Sequence, residues 1–231
     1  MMNNIHFPDQ LTGSELDEYL EKGWYRMGQV IFTTNYIVYE DLLYRVYWLR
    51  YHLPDVTLNR KHRQILKVNE RFSVTLQPFQ LSAEIETLYN HYKTGVVFDA
   101  PESVAHFLYD GGTGDVYDTM SFELRDGGKL IAVGIFDRGK ESIAGIMNFY
   151  HPDYKKYSPG KFLMLLKLRY AQEQGKKWYY PGYVVAGNTR FDYKLFLGID
   201  VASIFFPEDN CWMSYAGNWP GAIDLGIFNE S

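Results

Sequence analysis

Two stretches of this chain carry side chains suited to chemistry on a charged substrate. The first is Lys155, Lys156, Tyr157, Ser158, Pro159, Gly160 and Lys161, a basic loop between an apolar strand and an apolar-rich helix. A helix start offers free N–H groups and the positive end of its dipole to an anion, and Gly160 lets a ligand phosphate approach the backbone. The competing reading is an ordinary connection with its lysines in solvent. The second stretch is Tyr179, Tyr180, Pro181, Gly182 and Tyr183, followed by Arg190, Tyr193 and Lys194. It sets aromatic rings and a permissive glycine at the carboxyl end of a strand, where open α/β sheets bind ligands. The segment from Arg190 to Lys194 is too polar for a core.

A third cluster, Arg60, Lys61, His62, Arg63 and Lys67, is the densest basic run in the sequence. It is suited to phosphate, or equally to being the solvated face of a turn or helix. Metal and thiol chemistry find less support. The single cysteine, Cys211, excludes an intramolecular disulfide and a thiolate cluster built from this chain alone, and the six histidines lack the i, i+4 spacing that pairs two imidazoles on one helix face. No metal is expected.

The elements that must position these groups are legible as periodicities. Ser14, with acids after it and Gly23 as a stop, predicts a short helix, and β-branched and aromatic enrichment predicts strands over 29–51. Phe72, Val74 and Leu76 alternate as one face of a strand. Ser82 and Ser103 each cap a further helix, the second ending at Gly111, Gly112, Thr113 and Gly114. Three antiparallel strands over 116–124, 130–136 and 143–150 follow, with short turns between them. A helix over 161–174 then leads to a strand over 178–185, which implies a right-handed parallel crossover.

The length, 231 residues, allows one large domain or two small ones, and an aromatic share of 17% predicts a chain folded throughout. A net charge of -5 argues against binding nucleic acid through a broad positive field, although a local basic patch is compatible with it. There is no signal-like N-terminus and no apolar run of membrane-spanning length, so a cytoplasmic, non-membrane protein is expected.

The strand, glycine-containing loop and helix have the layout of acyltransferases, and the match extends to motifs. Phe149, Tyr150, His151, Pro152, Asp153 and Tyr154, then Ser158, Pro159 and Gly160, then Tyr179 to Tyr183, then Arg190, Phe191, Asp192, Tyr193 and Lys194 occur in the order seen in one family. The chain resembles the aminoacyl-tRNA-protein transferases, the arginyl and leucyl enzymes of the N-end rule. Glu123, Leu124, Arg125, Ala132, Val133, Gly134 and Asp137 extend the likeness upstream, and Gly23 to Gly28, Arg60, Arg63, Lys67 and Asn69 extend it more faintly. Four positions depart from the pattern: His151 replaces an acid, Pro159 a leucine, and Asn188 with Thr189 a Lys-Met pair. The family's N-terminal cysteine cluster has no counterpart over 44–55.

The resemblance implies an α/β (α+β) fold of the GNAT type, with a mixed, mostly antiparallel sheet and flanking helices. It divides the chain into a degenerate N-terminal region, 1–95, and an acyltransferase-like domain, 96–231. The implied reaction is attack by a protein's N-terminal α-amine on the ester of an aminoacyl-tRNA. The aminoacyl-tRNA is co-substrate and no other cofactor is needed. Asp153 is then the candidate for handling the amine or its proton, with Tyr183 and Tyr193 orienting. Arg190 and Lys194 would meet the acceptor-end phosphate or an acidic group, and Tyr150, Gly160 and Gly182 complete the substrate-binding set. Two alternatives stay open: an acyl-CoA-dependent N-acyltransferase on the same scaffold, and a non-catalytic binder of protein N-termini or tRNA.

Overall fold

The computed structural model describes residues 2–39, 42–96, 100–110 and 116–215. The glycine cluster at 111–114 lies outside them. Several expected elements appear where local signals placed them. Helix α3 (Ala83–Thr94) opens with the Ser82 hydroxyl accepting from the Ile85 N–H, and α4 (Val104–Tyr109) opens with Ser103 accepting from His106. Strands β7 (Thr119–Asp126), β8 (Lys129–Arg138) and β9 (Ser142–Tyr150) form an antiparallel run. Helix α5 (Pro159–Glu173) then carries the chain to β10 (Trp178–Val185), which pairs with β9 in parallel.

Several elements differ from expectation. Helix α1 (Gly13–Glu21) starts from Thr12, so Ser14 lies inside it. Strand β6 (Ser73–Pro78), at the end of the sheet, leaves Val74 and Leu76 exposed. The basic run is helix α2 (Arg60–Asn69), whose N-cap Asn59 and His62 form a reciprocal capping box. Within the loop after β9, residues 152–157 wind into a 310 turn.

The sheet is assembled from the whole chain. Three short strands, β1 (Met2–His6), β2 (Tyr25–Met27) and β3 (Val30–Thr34), make a separate sheet. The hairpin of β4 (Tyr36–Tyr39) and β5 (Leu42–His52) feeds β5 into the main sheet, beside β10 and next to β11 (Ala202–Phe206) and β12 (Cys211–Ser214). Among the described residues the order is β12-β11-β5-β10-β9-β8-β7-β6, and only β9 and β10 run in parallel. Strands β5 and β6 come from residues 1–95 and the rest of that path from beyond them, so the two expected regions share one sheet.

Burial explains the arrangement. Along β8, Ile131, Ala132 and Phe136 belong to the core beneath α5, whereas Leu130, Val133 and Ile135 belong to the core beneath α3 and α4. A strand covered on both faces reads as a continuous apolar run rather than an alternation, as this one does. The N-terminal sheet is pinned by Arg26 of β2, which reaches Asp137 of β8 at 2.9 Å and the Leu108 carbonyl at 3.0 Å.

Candidate functional site

The site begins where the parallel pair ends. Strands β9 and β10 are in register only over Ser142–Ala144 and Trp178–Tyr180. The next residue, Pro181, has no N–H to give, and Gly182 sits at φ 110°, a conformation that favours glycine. The register of β10 against β5 shifts between Tyr179 and Gly182, and that of β9 against β8 shifts where Phe136 pairs with Gly145 and Ile135 with Met147. Such bulges bend strands. The two strands diverge, and beyond Tyr180 β10 keeps only its pairing with β5 on the opposite edge, from Gly182 to Val185.

The opening is a cavity of about 760 Å³ whose walls include Ile146, Met147 and Asn148 on one side and Pro181, Gly182 and Tyr183 on the other, with Met164 of α5. Strand β2 supplies Tyr25, stacked on Trp48 with centroids 4.4 Å apart, and its hydroxyl accepts the Gly182 N–H at 2.9 Å. The lining is mixed: Phe32, Trp48, Met147 and Met164 are apolar, Glu102 and Asp110 add carboxyl groups, and Arg26, His106 and Lys194 add basic ones.

A second cavity of about 870 Å³ adjoins the first. Its wall carries Tyr150, Ser158, Gly160 and three exposed cations, Lys155, Lys161 and Arg190. Ser158 adopts a left-handed conformation (φ 53°) as α5 starts, and a Cβ on Gly160 would meet the Tyr150 ring at 3.5 Å, ordinary van der Waals contact, so that ring packs beside the helix start.

Four residues line both cavities: Asn148, Tyr183, Tyr193 and Lys194. Lys194 Nζ donates to the Tyr183 carbonyl at 2.9 Å and lies 4.8, 5.1 and 5.0 Å from the ring centroids of Tyr183, Phe191 and Tyr193. Its stem passes Gly182, where a Cβ would stand 3.2 Å from Cε. Enclosure by protein pushes its ammonium down to about 7, and burial likewise raises the Tyr183 and Tyr193 phenols. Tyr193 is 52% exposed by surface area. The two facts agree for a cavity wall, which a solvent molecule can touch although protein surrounds it.

The structure brings together Tyr150, Gly160, Tyr183, Arg190, Tyr193 and Lys194 around the second cavity, and Gly182 joins Tyr183, Tyr193 and Lys194 on the first. Asp153 is not brought in. Its side chain is 79% exposed, 3.6 Å from His151, and it lines neither cavity. As the second residue of the 310 turn it acts as a turn former. Sequence reasoning missed Tyr25 and Trp48, whose contacts are long-range. It also missed Asn148 and Lys167, each a lone polar residue inside an apolar run, which is a readable signal.

A mixed, mostly antiparallel sheet with flanking helices, whose single parallel pair among the described residues opens beside a helix start, is the acyltransferase-like fold class expected from the sequence. Residues 84–198 match the family model of the arginine-tRNA-protein transferase C terminus. An aspartate/glutamate leucyltransferase of Leptospira interrogans is 25% identical over 198 residues, spanning 81% of this chain and 74% of its own. Another, of Helicobacter hepaticus, is 28% identical over 184 residues, spanning 76% and 73%. The chain belongs to the aminoacyl-tRNA-protein transferase family. Likeness to solved structures is fainter and concerns layout alone. A GCN5-related N-acetyltransferase from Anabaena variabilis aligns with 87% of this chain and 42% of its own at TM-score 0.38 and 11% identity. FemX aligns with 75% and 60% at TM-score 0.43 and 9% identity. Among the described residues no helix is long and apolar enough to cross a membrane.

Proposed function

We propose that this chain transfers a leucyl group from leucyl-tRNA to the N-terminal α-amine of proteins that begin with Asp or Glu. The observation that carries the reading is the sharing of Asn148, Tyr183, Tyr193 and Lys194 by two adjoining cavities, which lets two substrates meet at one enclosed lysine. The apolar side chains of the first cavity, Phe32, Trp48, Met147 and Met164, suit a leucyl group. The second cavity, with Lys155, Lys161, Arg190 and the start of α5, suits the terminal phosphates of tRNA and an acidic acceptor side chain. The names of the relatives from Leptospira and Helicobacter support the same amino acid and acceptors.

The ester is already activated, so the chain has to hold the reactants and manage one proton. The amine nitrogen attacks the ester carbonyl carbon, the C–N bond forms, and the proton leaves the nitrogen for the neutral amine of Lys194. The bond from carbon to the ribose oxygen then breaks, and Lys194 returns the proton to that oxygen, giving an amide and a free tRNA hydroxyl. Lys194 takes this role in place of Asp153 because it lines both cavities and its ammonium is held near 7. Tyr183 and Tyr193 remain neutral phenols that orient the amine.

The test is transfer of labelled amino acids from separately charged leucyl- and arginyl-tRNA to peptides beginning with Asp, Glu, Arg or Ala. Leucyl transfer to the acidic peptides is expected. Arginyl transfer would overturn the assignment of the amino acid, and no transfer from any charged tRNA would overturn the enzyme reading.

A further inference from the structure

Asn148 stands on β9 opposite Gly134 of β8, and its carboxamide is held from behind. Lys167, fully buried on α5, sends Nζ to the Ile135 carbonyl at 2.7 Å, the Met147 carbonyl at 3.3 Å and Asn148 Oδ1 at 2.9 Å. A lysine ammonium has three donors and no acceptor, so three acceptors match it and only the oxygen of the carboxamide can face it. Burial pushes this ammonium down to about 7 and the charge of Asp137 opposes the shift. Gly134 leaves room for the arrangement: a Cβ there would stand 2.9 Å from Asn148 Oδ1 and 2.9 Å from Leu163 Cδ2.

With Oδ1 turned to Lys167, Nδ2 is directed away from it and makes no hydrogen bond among the described residues. The residue that carries it lines both cavities at their junction, beside Lys194. The bond from Lys167 to Oδ1 also polarises the amide and makes its N–H a stronger donor.

We propose that Asn148 donates a hydrogen bond through Nδ2 to the carbonyl oxygen of the aminoacyl ester as that oxygen gains charge, and that Lys167 is the positioning residue that fixes its orientation. This rests on the transferase reading above. A fixed donor aimed at developing charge stabilises the transition state more than the bound substrate.

The experiment is a double-mutant cycle on aminoacyl transfer to a peptide, with folding followed by circular dichroism. Asn148→Ala should lower kcat on the order of 10² to 10³-fold, the range for losing one such donor, with KM for the charged tRNA within about threefold. Lys167→Met should lower kcat similarly, and the double variant should be no slower than Asn148→Ala alone. Losses that multiply would overturn the positioning role, since a purely structural lysine acts independently of Asn148. Wild-type transfer with Asn148→Ala at full kcat would overturn this inference and leave the transferase reading standing. No transfer by the wild type would overturn both. Should Lys167→Met fail to fold, Asn148→Asp decides: it keeps the shape and the bond to Lys167 but lacks the donor, and activity near wild type would overturn the inference.

Discussion

Arg26 and Asp137 form an ion pair at 2.9 Å with 3% and 0% of their side chains exposed. The arginine also donates to the Gly28 and Leu108 carbonyls and to the Thr119 hydroxyl, and it lies 4.4 Å from the centroid of the Tyr117 ring. A buried pair is not in itself a source of stability, but removing one partner strands the other charge. Arg26→Ala should therefore destabilise the fold by about 3 to 5 kcal/mol. Urea unfolding of the variant against the wild type measures this, and a change below about 1 kcal/mol, the range of exposed pairs, would refute it.

Lys194 sets a pH dependence. If its neutral form is the proton acceptor, with its ammonium held near 7, kcat should rise tenfold per pH unit below about 7 and level off above it. Lys194→Arg, which stays charged, should be inactive across the range. Stability carries the same signature. The folded-state value is depressed below the unfolded value of about 10.4, so between these two pH values the unfolded chain binds a proton the native chain lacks, and stability rises with pH across that window. Unfolding midpoints of wild type and Lys194→Met at pH 6.5 and 9 should converge as pH rises. Parallel curves would contradict the shift.

Gly182 couples backbone to chemistry. At φ 110°, with Lys194 Cε 3.2 Å from the place a Cβ would take, Gly182→Ala should cost about 1 to 3 kcal/mol of stability. It should also displace the lysine, so turnover at a temperature where the variant is fully folded should fall below wild type. Unchanged turnover would show that the lysine stem tolerates the methyl group.

The cations of the second cavity predict a salt dependence. If Lys155, Lys161 and Arg190 meet tRNA phosphates, each replacement by Ala should weaken binding and reduce the slope of log K against log salt by about 0.7, the single-strand value per contact. Fluorescence titration of tRNA at several salt concentrations reads both. A weaker affinity with an unchanged slope would point to a non-ionic role.

Legibility in the sequence followed the range of the interaction. The caps at Ser82 and Ser103, the strands of β7 to β9 and the helix after them rest on neighbouring residues and were readable. The basic loop and Tyr183, Arg190, Tyr193 and Lys194 stood out because polar or cationic groups there had no place in a core. The pairing of β10 with β5, separated by more than a hundred residues, had no local signal, and neither did the Tyr25 to Gly182 bond that depends on it. Asp153 misled because an acid beside a proline serves a turn as well as it serves catalysis. Lys167 sits in an apolar helix where a charge is costly, and that cost was the clue to the carboxamide it holds.

The divergence of β9 and β10 has a consequence for dissecting the chain. The half of β10 that leaves β9 is paired by β5, a strand that comes from before Gly95. A fragment holding only the stretch matched by the family model, 84–198, would keep the crossover yet bare the whole edge of β10 that β5 pairs, and leave its end, with the now buried Val184 and Val185, without a strand on either side. An uncovered apolar edge recruits other chains. Such a fragment should self-associate rather than fold as a minimal enzyme, and adding residues 42–52 as a separate peptide should restore solubility by strand complementation.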